Sequence, residues 1–182
     1  MNSKIKTHQM LHISLMAAVI ALMAQIMFLI GTIPVTLQTC AVILTVLILR
    51  PKEALLTLTV YVLLGAVGVP VFAGFKGGFG ALLGPTGGYL IGFIPGAWLG
   101  AMLYQKMGRT KTAAMVAAAV CLLISYAAGL FWFMHIMHCG MKVGIMGAVL
   151  PYLPFEIIKM LIFIPVGRRV RTALEQQFPK YF

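Results

Sequence analysis

The 182-residue sequence contains no aspartate, three glutamates (Glu53, Glu156 and Glu175) and three serines (Ser3, Ser14 and Ser125). Only 9% of its residues are Asp, Glu, Lys or Arg, against about 25% in a typical soluble domain. These shortages remove most routes to catalysis. No H-E-x-x-H stretch and no G-x-x-x-x-G-K-[ST] loop occurs, so zinc hydrolysis and the familiar nucleotide-hydrolysing chemistry lack their residues. An intramembrane enzyme needs a nucleophile with its base, or a metal cluster. Ser125, Tyr126 and the His135/His138 pair have no spacing that suggests either. There are three cysteines, too few for a disulfide scaffold. Cys40 and Cys121 lie in apolar runs and read as small core residues. Cys139 follows His135 and His138, a weak metal signal. We expect neither a metal nor a cofactor.

What the chain has in excess is apolar surface: 62% of residues are hydrophobic and the mean hydropathy is +1.02. That composition belongs to an integral membrane protein. A helical crossing takes about 20 residues, so the length allows at most about six or seven crossings and leaves no room for a soluble catalytic or nucleotide-binding domain. The apolar runs predict a single all-α domain over residues 1–182 with six transmembrane helices, at roughly 10–30, 36–49, 54–69, 89–104, 113–134 and 145–166. A glycine-rich outer loop covers 73–88. The first run follows basic residues, as a signal peptide does. It is longer than such a core and shows no small-residue cleavage site, so it reads as a retained span.

The net charge of +11 reads as membrane topology rather than as a nucleic-acid surface, because the basic residues are scattered between apolar runs. Six crossings put Lys4, Lys6, Arg50, Lys52, Lys106, Arg109, Lys111, Arg168, Arg169, Arg171 and Lys180 on one side. Lys76 and Lys142 fall on the other, and Lys159 lies inside a span. By the positive-inside rule both termini are cytoplasmic.

Three features stand out within this frame. Glu53 and Glu175 sit at helix ends beside basic residues and read as solvated charges. Glu156 instead lies inside an apolar run with Lys159 three residues on, on the same helix face. It is about 18 Å from the cytoplasmic end at Arg168, in the outer half of the bilayer. Ionisable groups at that depth are costly and mark ligand or ion paths; a purely structural pair is the alternative. Pro154 suits a first helical turn, whose positive end favours the Glu156 carboxylate. The segment Gly74 to Gly80 suggests a re-entrant or capping loop over a cavity, with Phe72, Phe75, Phe79 and Tyr89 as flat walls. Gly84, Gly88, Gly92, Gly96 and Gly100, spaced four apart, let another helix approach closely. Thr32, Thr36, Gln38 and Thr39 follow the first span and gain interest if they face the same cavity as Glu156.

These residues carry a pattern. Ile33-Pro34-Val35-Thr36-Leu37-Gln38, then Gly68-Val69-Pro70-Val71-Phe72, then Gly84 to Phe93 with its Gly-Pro-Thr-Gly-Gly-Tyr core closely resemble the BioY family. Pro-x-x-Pro-x-Glu-x-x-Lys at Pro151 to Lys159 is similar to that family's last-helix motif. The resemblance runs from about residue 14 to 171. It implies the S-component fold of energy-coupling-factor (ECF) transporters in a bacterial plasma (inner) membrane. It also implies capture of biotin from outside, and as partners a membrane scaffold subunit, two cytoplasmic ATPase subunits and membrane lipid. The implied biotin site comprises Glu156, Lys159, Thr36, Gln38, Gly74, Phe79, Gly87, Gly88 and Tyr89, and the implied scaffold contact Ala17 and Ala21. Two departures are visible: the last-helix acid is more usually Asp where this chain has Glu156, and relatives often carry a polar side chain where it has Gly74. A self-sufficient carrier or channel, the alternative, predicts polar residues on several helices and an internal repeat. Neither is evident.

Overall fold

In a computed structural model, residues 7–30 and 33–177 are described. Lys4, Lys6, Thr32 and Lys180, used above, lie outside the described residues. The element order is α1 (Thr7–Gln25), β1 (Met27–Ile30), β2 (Ile33–Thr36), α2 (Gln38–Ile48), α3 (Pro51–Ala66), α4 (Phe79–Leu82), α5 (Gly87–Lys106), α6 (Lys111–Met137), α7 (Met141–Ala148) and α8 (Leu153–Gln177).

The chain is helical, but not all-α as the apolar runs predict. The first run is helix only to Gln25, and Met27–Ile30 pairs antiparallel with Ile33–Thr36, Met27 opposite Thr36. A continuous apolar run carries no period that separates helix from strand, and Phe28 and Ile30 favour the pleat. Pro34, which cannot donate to a ladder, is tolerated because the two-stranded sheet is all edge. The last run is also broken. α7 and α8 meet at a 44° bend, across a break that holds Pro151. α8 then begins one residue before Pro154 and continues to Gln177, well past the expected Val166.

Three described helices, α1, α5 and α6, are long and apolar enough to cross a membrane, or four if the bent α7–α8 pair is one crossing. α2 is a shorter apolar helix of 11 residues. It is nonetheless the hub, with nine of those residues buried, against α8, α1 and α5. A short helix enclosed by other helices reaches neither solvent nor lipid along most of its length. The outward faces of the long helices are strongly apolar: Leu22 is 70% exposed, Leu123 68% and Leu161 66%.

The glycine stripe does what its spacing predicts. α5 lies against α6 so closely that a Cβ on Gly88 would meet the Trp132 Cβ at 2.3 Å, and one on Gly96 the Cys121 carbonyl at 2.7 Å. Small residues admit this approach where apolar lipid supplies no hydrophobic drive between helices. Gly84 is an exception; it precedes α5, and its carbonyl accepts a hydrogen bond from Trp132 Nε1 at 2.9 Å.

The basic turns gather at one end of the bundle. Arg171 donates to the Ile48 carbonyl (2.7 Å) and to Glu175 (2.9 Å), and Arg109 donates to Glu175 at 2.6 Å. Glu53 corrects the reading of a solvated charge. It is only 4% exposed, and its Oε2 accepts the Arg50 N–H at 3.3 Å, closing the start of α3 where Pro51 leads the helix. The opposite end holds the hairpin, the 67–86 segment and the α7–α8 break.

Overpacking tests this architecture. Gly96→Leu should lower stability by about 1–3 kcal/mol, read as a lower melting temperature in detergent. Gly80→Ala, whose Cβ meets nothing within 4 Å, should not lower it.

Candidate functional site

The site begins with the first turn of α8. Pro154 and Glu156 both fall in it, so the carboxylate lies at the positive end of a long helix. Lys159, one turn on, donates to Glu156 Oε1 at 2.5 Å. The two side chains are 8% exposed. Lys159 Nζ also donates to the Thr36 carbonyl and to Thr39 Oγ1, both at 2.9 Å. An ammonium has three protons, and all three are committed. The Thr39 hydroxyl in turn donates a hydrogen bond to Glu156 Oε1 at 3.3 Å.

One oxygen of the pair is left over. Glu156 Oε2 is buried and has no hydrogen-bond partner in the protein. The Tyr126 hydroxyl lies near that carboxylate without reaching hydrogen-bond geometry. A buried carboxylate oxygen without a donor costs free energy until something donates to it, and Glu156 lines a cavity of about 350 Å³. That volume falls within the usual range for small-molecule sites.

The cavity wall comes from nearly every element at this end. The hairpin and the start of α2 give Met27, Val35, Thr36, Gln38 and Thr39, and the 67–86 segment gives Phe72, Lys76 and Thr86. α5 and α6 add Tyr89, Phe93 and Tyr126, and α8 with its lead-in adds Tyr152 and Glu156. Polar side chains hold these pieces together. Gln38 Nε2 donates to the Tyr61 hydroxyl (3.0 Å), which donates to the Val71 carbonyl (3.0 Å). Gln25, the last residue of α1, donates to the Phe72 carbonyl (3.2 Å) and accepts the Phe75 N–H (2.8 Å). The Tyr152 hydroxyl accepts the Ile33 N–H at 3.2 Å, and Tyr89 donates to the Ala148 carbonyl. Tyr89 and Tyr126 meet edge to face at 5.4 Å.

Of the residues singled out from sequence, Glu156, Thr36, Gln38, Thr39, Phe72, Gly84 and Tyr89 line the cavity, and Lys159 stands directly behind Glu156. Its saturated ammonium positions the carboxylate and fixes the end of β2. Gly74, Phe79, Gly87 and Gly88 are not on the wall. Gly74 has φ +72°, which favours glycine, and lies beside the Met27 side chain. Phe79 is 67% exposed and Phe75 72%. Gly87 and Gly88 are packing positions, closed by the Leu82 carbonyl and by Trp132. Ala17 is buried within the chain's own core, and Ala21 is half-buried against it. Tyr126, Tyr152, Phe93 and Gln25 had no distinguishing sequence signal, because only the tertiary fold brings the first three to the cavity and Gln25 to the 71–75 segment. No group of three or more metal-ligating side chains occurs among the described residues.

The fold and site define a helical membrane protein with a small-molecule cavity at one end, closed by a buried ion pair. The comparisons agree. The BioY family model matches residues 1–176. The biotin transporter BioY of Thermotoga maritima is 37% identical over 167 residues, 90% of this chain and 95% of that protein. Biotin transporter BioY2 of Lactococcus lactis subsp. cremoris is 33% identical, over 97% of each chain. A crystal structure of the S component for biotin from an ECF-type ABC transporter superposes with a TM-score of 0.83 at 20% identity, covering 94% of this chain and 95% of that one. The chain belongs to the BioY family and has the S-component fold.

The pair makes a stability prediction. Lys159→Met should leave Glu156 buried and unbalanced, costing on the order of 3 kcal/mol. Glu156→Gln/Lys159→Met should recover most of that loss. A double variant no more stable than Lys159→Met alone, in thermal melts, would exclude charge pairing as the cause.

Proposed function

We propose that the protein is the high-affinity substrate-binding membrane subunit for biotin uptake, capturing biotin in this cavity and delivering it inward with an ATP-driven ECF module. The observation that carries this reading is Glu156 Oε2, a buried acceptor without a donor on the wall of the cavity. Biotin offers two ureido N–H groups, and a carboxylate is the strong acceptor for such donors. The biotin transporters named above support the assignment.

Polarity sets the ligand's direction. Glu156 repels the carboxylate tail of biotin and attracts its ureido end. The fused rings then lie among Phe72, Tyr89, Phe93 and Tyr126, and the tail points to the exposed Lys76 on the same wall. Backbone hydrogen bonds with Phe72, at 2.9 and 3.2 Å, fix Lys76 there. Its ammonium is the counter-charge for the tail. Thr36 and Gln38 shape the deep end through the hairpin and Tyr61.

In this reading six helices cross a bacterial inner membrane, with both termini and the basic turns in the cytoplasm and the cavity facing outward. The exposed side of α1, with the half-buried Ala21 at its edge and Ala17 packed inside the core, meets the scaffold subunit, and two cytoplasmic ATPases supply the energy. The protein itself is a carrier subunit rather than an enzyme.

Equilibrium binding to the purified protein in detergent tests the assignment. Biotin should bind with sub-micromolar affinity. Desthiobiotin, which keeps the ureido group, should compete, and lipoate, which lacks it, should not. A folded, monodisperse sample that fails to bind biotin would falsify the substrate. Glu156→Gln should keep the fold and weaken biotin. Lys76→Gln should weaken biotin roughly two- to fivefold, as loss of an exposed ion pair does, and should leave the methyl ester of biotin unaffected.

A further inference from the structure

A second concavity lies on the other half of the bundle, between α6 and α8. It has a volume of about 770 Å³ and is lined by Met115 and Lys111 from α6 and by Ile157, Met160, Leu161, Ile164, Arg168 and Arg169 among others from α8. It shares no residue with the biotin cavity. Two properties distinguish it from an ordinary lipid-facing helix surface. First, its polarity is divided along its length. From Ile157 to Pro165 the α8 wall is apolar, and its remainder, from Arg168 to Gln176, is basic and polar, with Arg168, Arg169 and, from α6, Lys111. Second, those cations are not compensated. Among the described residues none of the three forms an ion pair, and Arg168 Nε is buried without a hydrogen-bond partner; of the acids at that end, Glu175 is held by Arg109 and Arg171 and Glu53 accepts the Arg50 N–H.

We propose that this groove binds an anionic phospholipid of the leaflet on the Arg168 side. An occupant must carry a negative group at one end and a long apolar remainder. The distances fit one leaflet: from Ile157 to Arg168 is eleven residues, about 16 Å of helix, against half of a hydrocarbon core of ~30 Å. The phosphate lies against Arg168, Arg169 and Lys111, where the buried Arg168 Nε–H gains an acceptor. One acyl chain fills the apolar floor over Met160 and Ile164. Basic pockets between helices at a membrane surface hold anionic headgroups in this way.

The test is native mass spectrometry of the delipidated full chain in detergent, titrated with phosphatidylglycerol and with phosphatidylcholine of identical acyl chains. Phosphatidylglycerol should be retained preferentially by roughly 30-fold, and Arg168→Gln/Arg169→Gln should abolish that preference. Lys52→Gln/Lys106→Gln removes the same charge outside the groove and should preserve it. Met160→Trp, filling the apolar floor, should lower retention of both lipids. Unchanged biotin affinity shows that each variant is folded, so failure here leaves the biotin assignment standing. Equal retention of the two lipids overturns the proposal. So does equal loss in both charge variants, which indicates a diffuse surface potential, or displacement by glycerol phosphate at equal concentration, which indicates a bare phosphate site.

Discussion

The ion pair between Glu156 and Lys159 is the constraint around which the cavity end is built. Two charges with 8% exposure are costly to desolvate, and they persist only when their remaining hydrogen-bonding capacity is satisfied. Lys159 meets that requirement by reaching out of its own helix to the last residue of β2 and the second residue of α2. Satisfying one ammonium therefore fixes the relative positions of three elements. Glu156 meets it only in part. The unmatched half of the carboxylate lies on the cavity wall, so the need that stabilises the architecture is also the need that a ligand can fill.

The two ends of the molecule divide the work. At the basic end the elements are tied by short bonds from Arg171 and Arg109, and α5 and α6 are closed against each other by glycine and alanine. At the cavity end the elements separate around the cavity, and they are joined by polar links from Gln25, Gln38, Tyr61, Tyr89 and Tyr152. Each such link spans two elements, so each lost hydrogen bond loosens a seam rather than a helix.

Much of this was legible in the chain. An acid and a base three apart inside an apolar run announce a buried pair, because nothing else tolerates them there. Glycines four apart announce a close helix contact, and Pro154 marks the start of α8. The hairpin was hidden because Ile26 to Ile30 is apolar at every position, so no period distinguishes a strand from a helix. Glu53 was misread for a related reason: a charge at a helix end is usually solvated, and only the packing of α3 against its neighbours shows that this one is covered. The aromatic wall was legible only in Phe72 and Tyr89. Tyr126 lies on α6, Phe93 on α5 and Tyr152 in the turn before α8, and no local rule separates them from lipid-facing aromatics. Gly87 and Gly88 stood out in the motif for the right fold but, in the structure, serve packing rather than the cavity wall.

The hairpin has one further consequence. Two four-residue strands have little stability alone, and this pair rests on α8 and its lead-in through Lys159 at Thr36, Tyr152 at Ile33 and the edge-to-face contact of Phe28 with Phe155 at 5.6 Å. Its opening free energy is therefore set by the start of α8 more than by its own ladder. In hydrogen-exchange terms the hairpin and the first turn of α8 form one cooperative unit. Whatever holds Glu156 in place also slows amide exchange in strands whose contacts with α8 and its lead-in span 119 to 123 residues of sequence, and the hairpin amides become a remote gauge of how firmly the cavity floor is set.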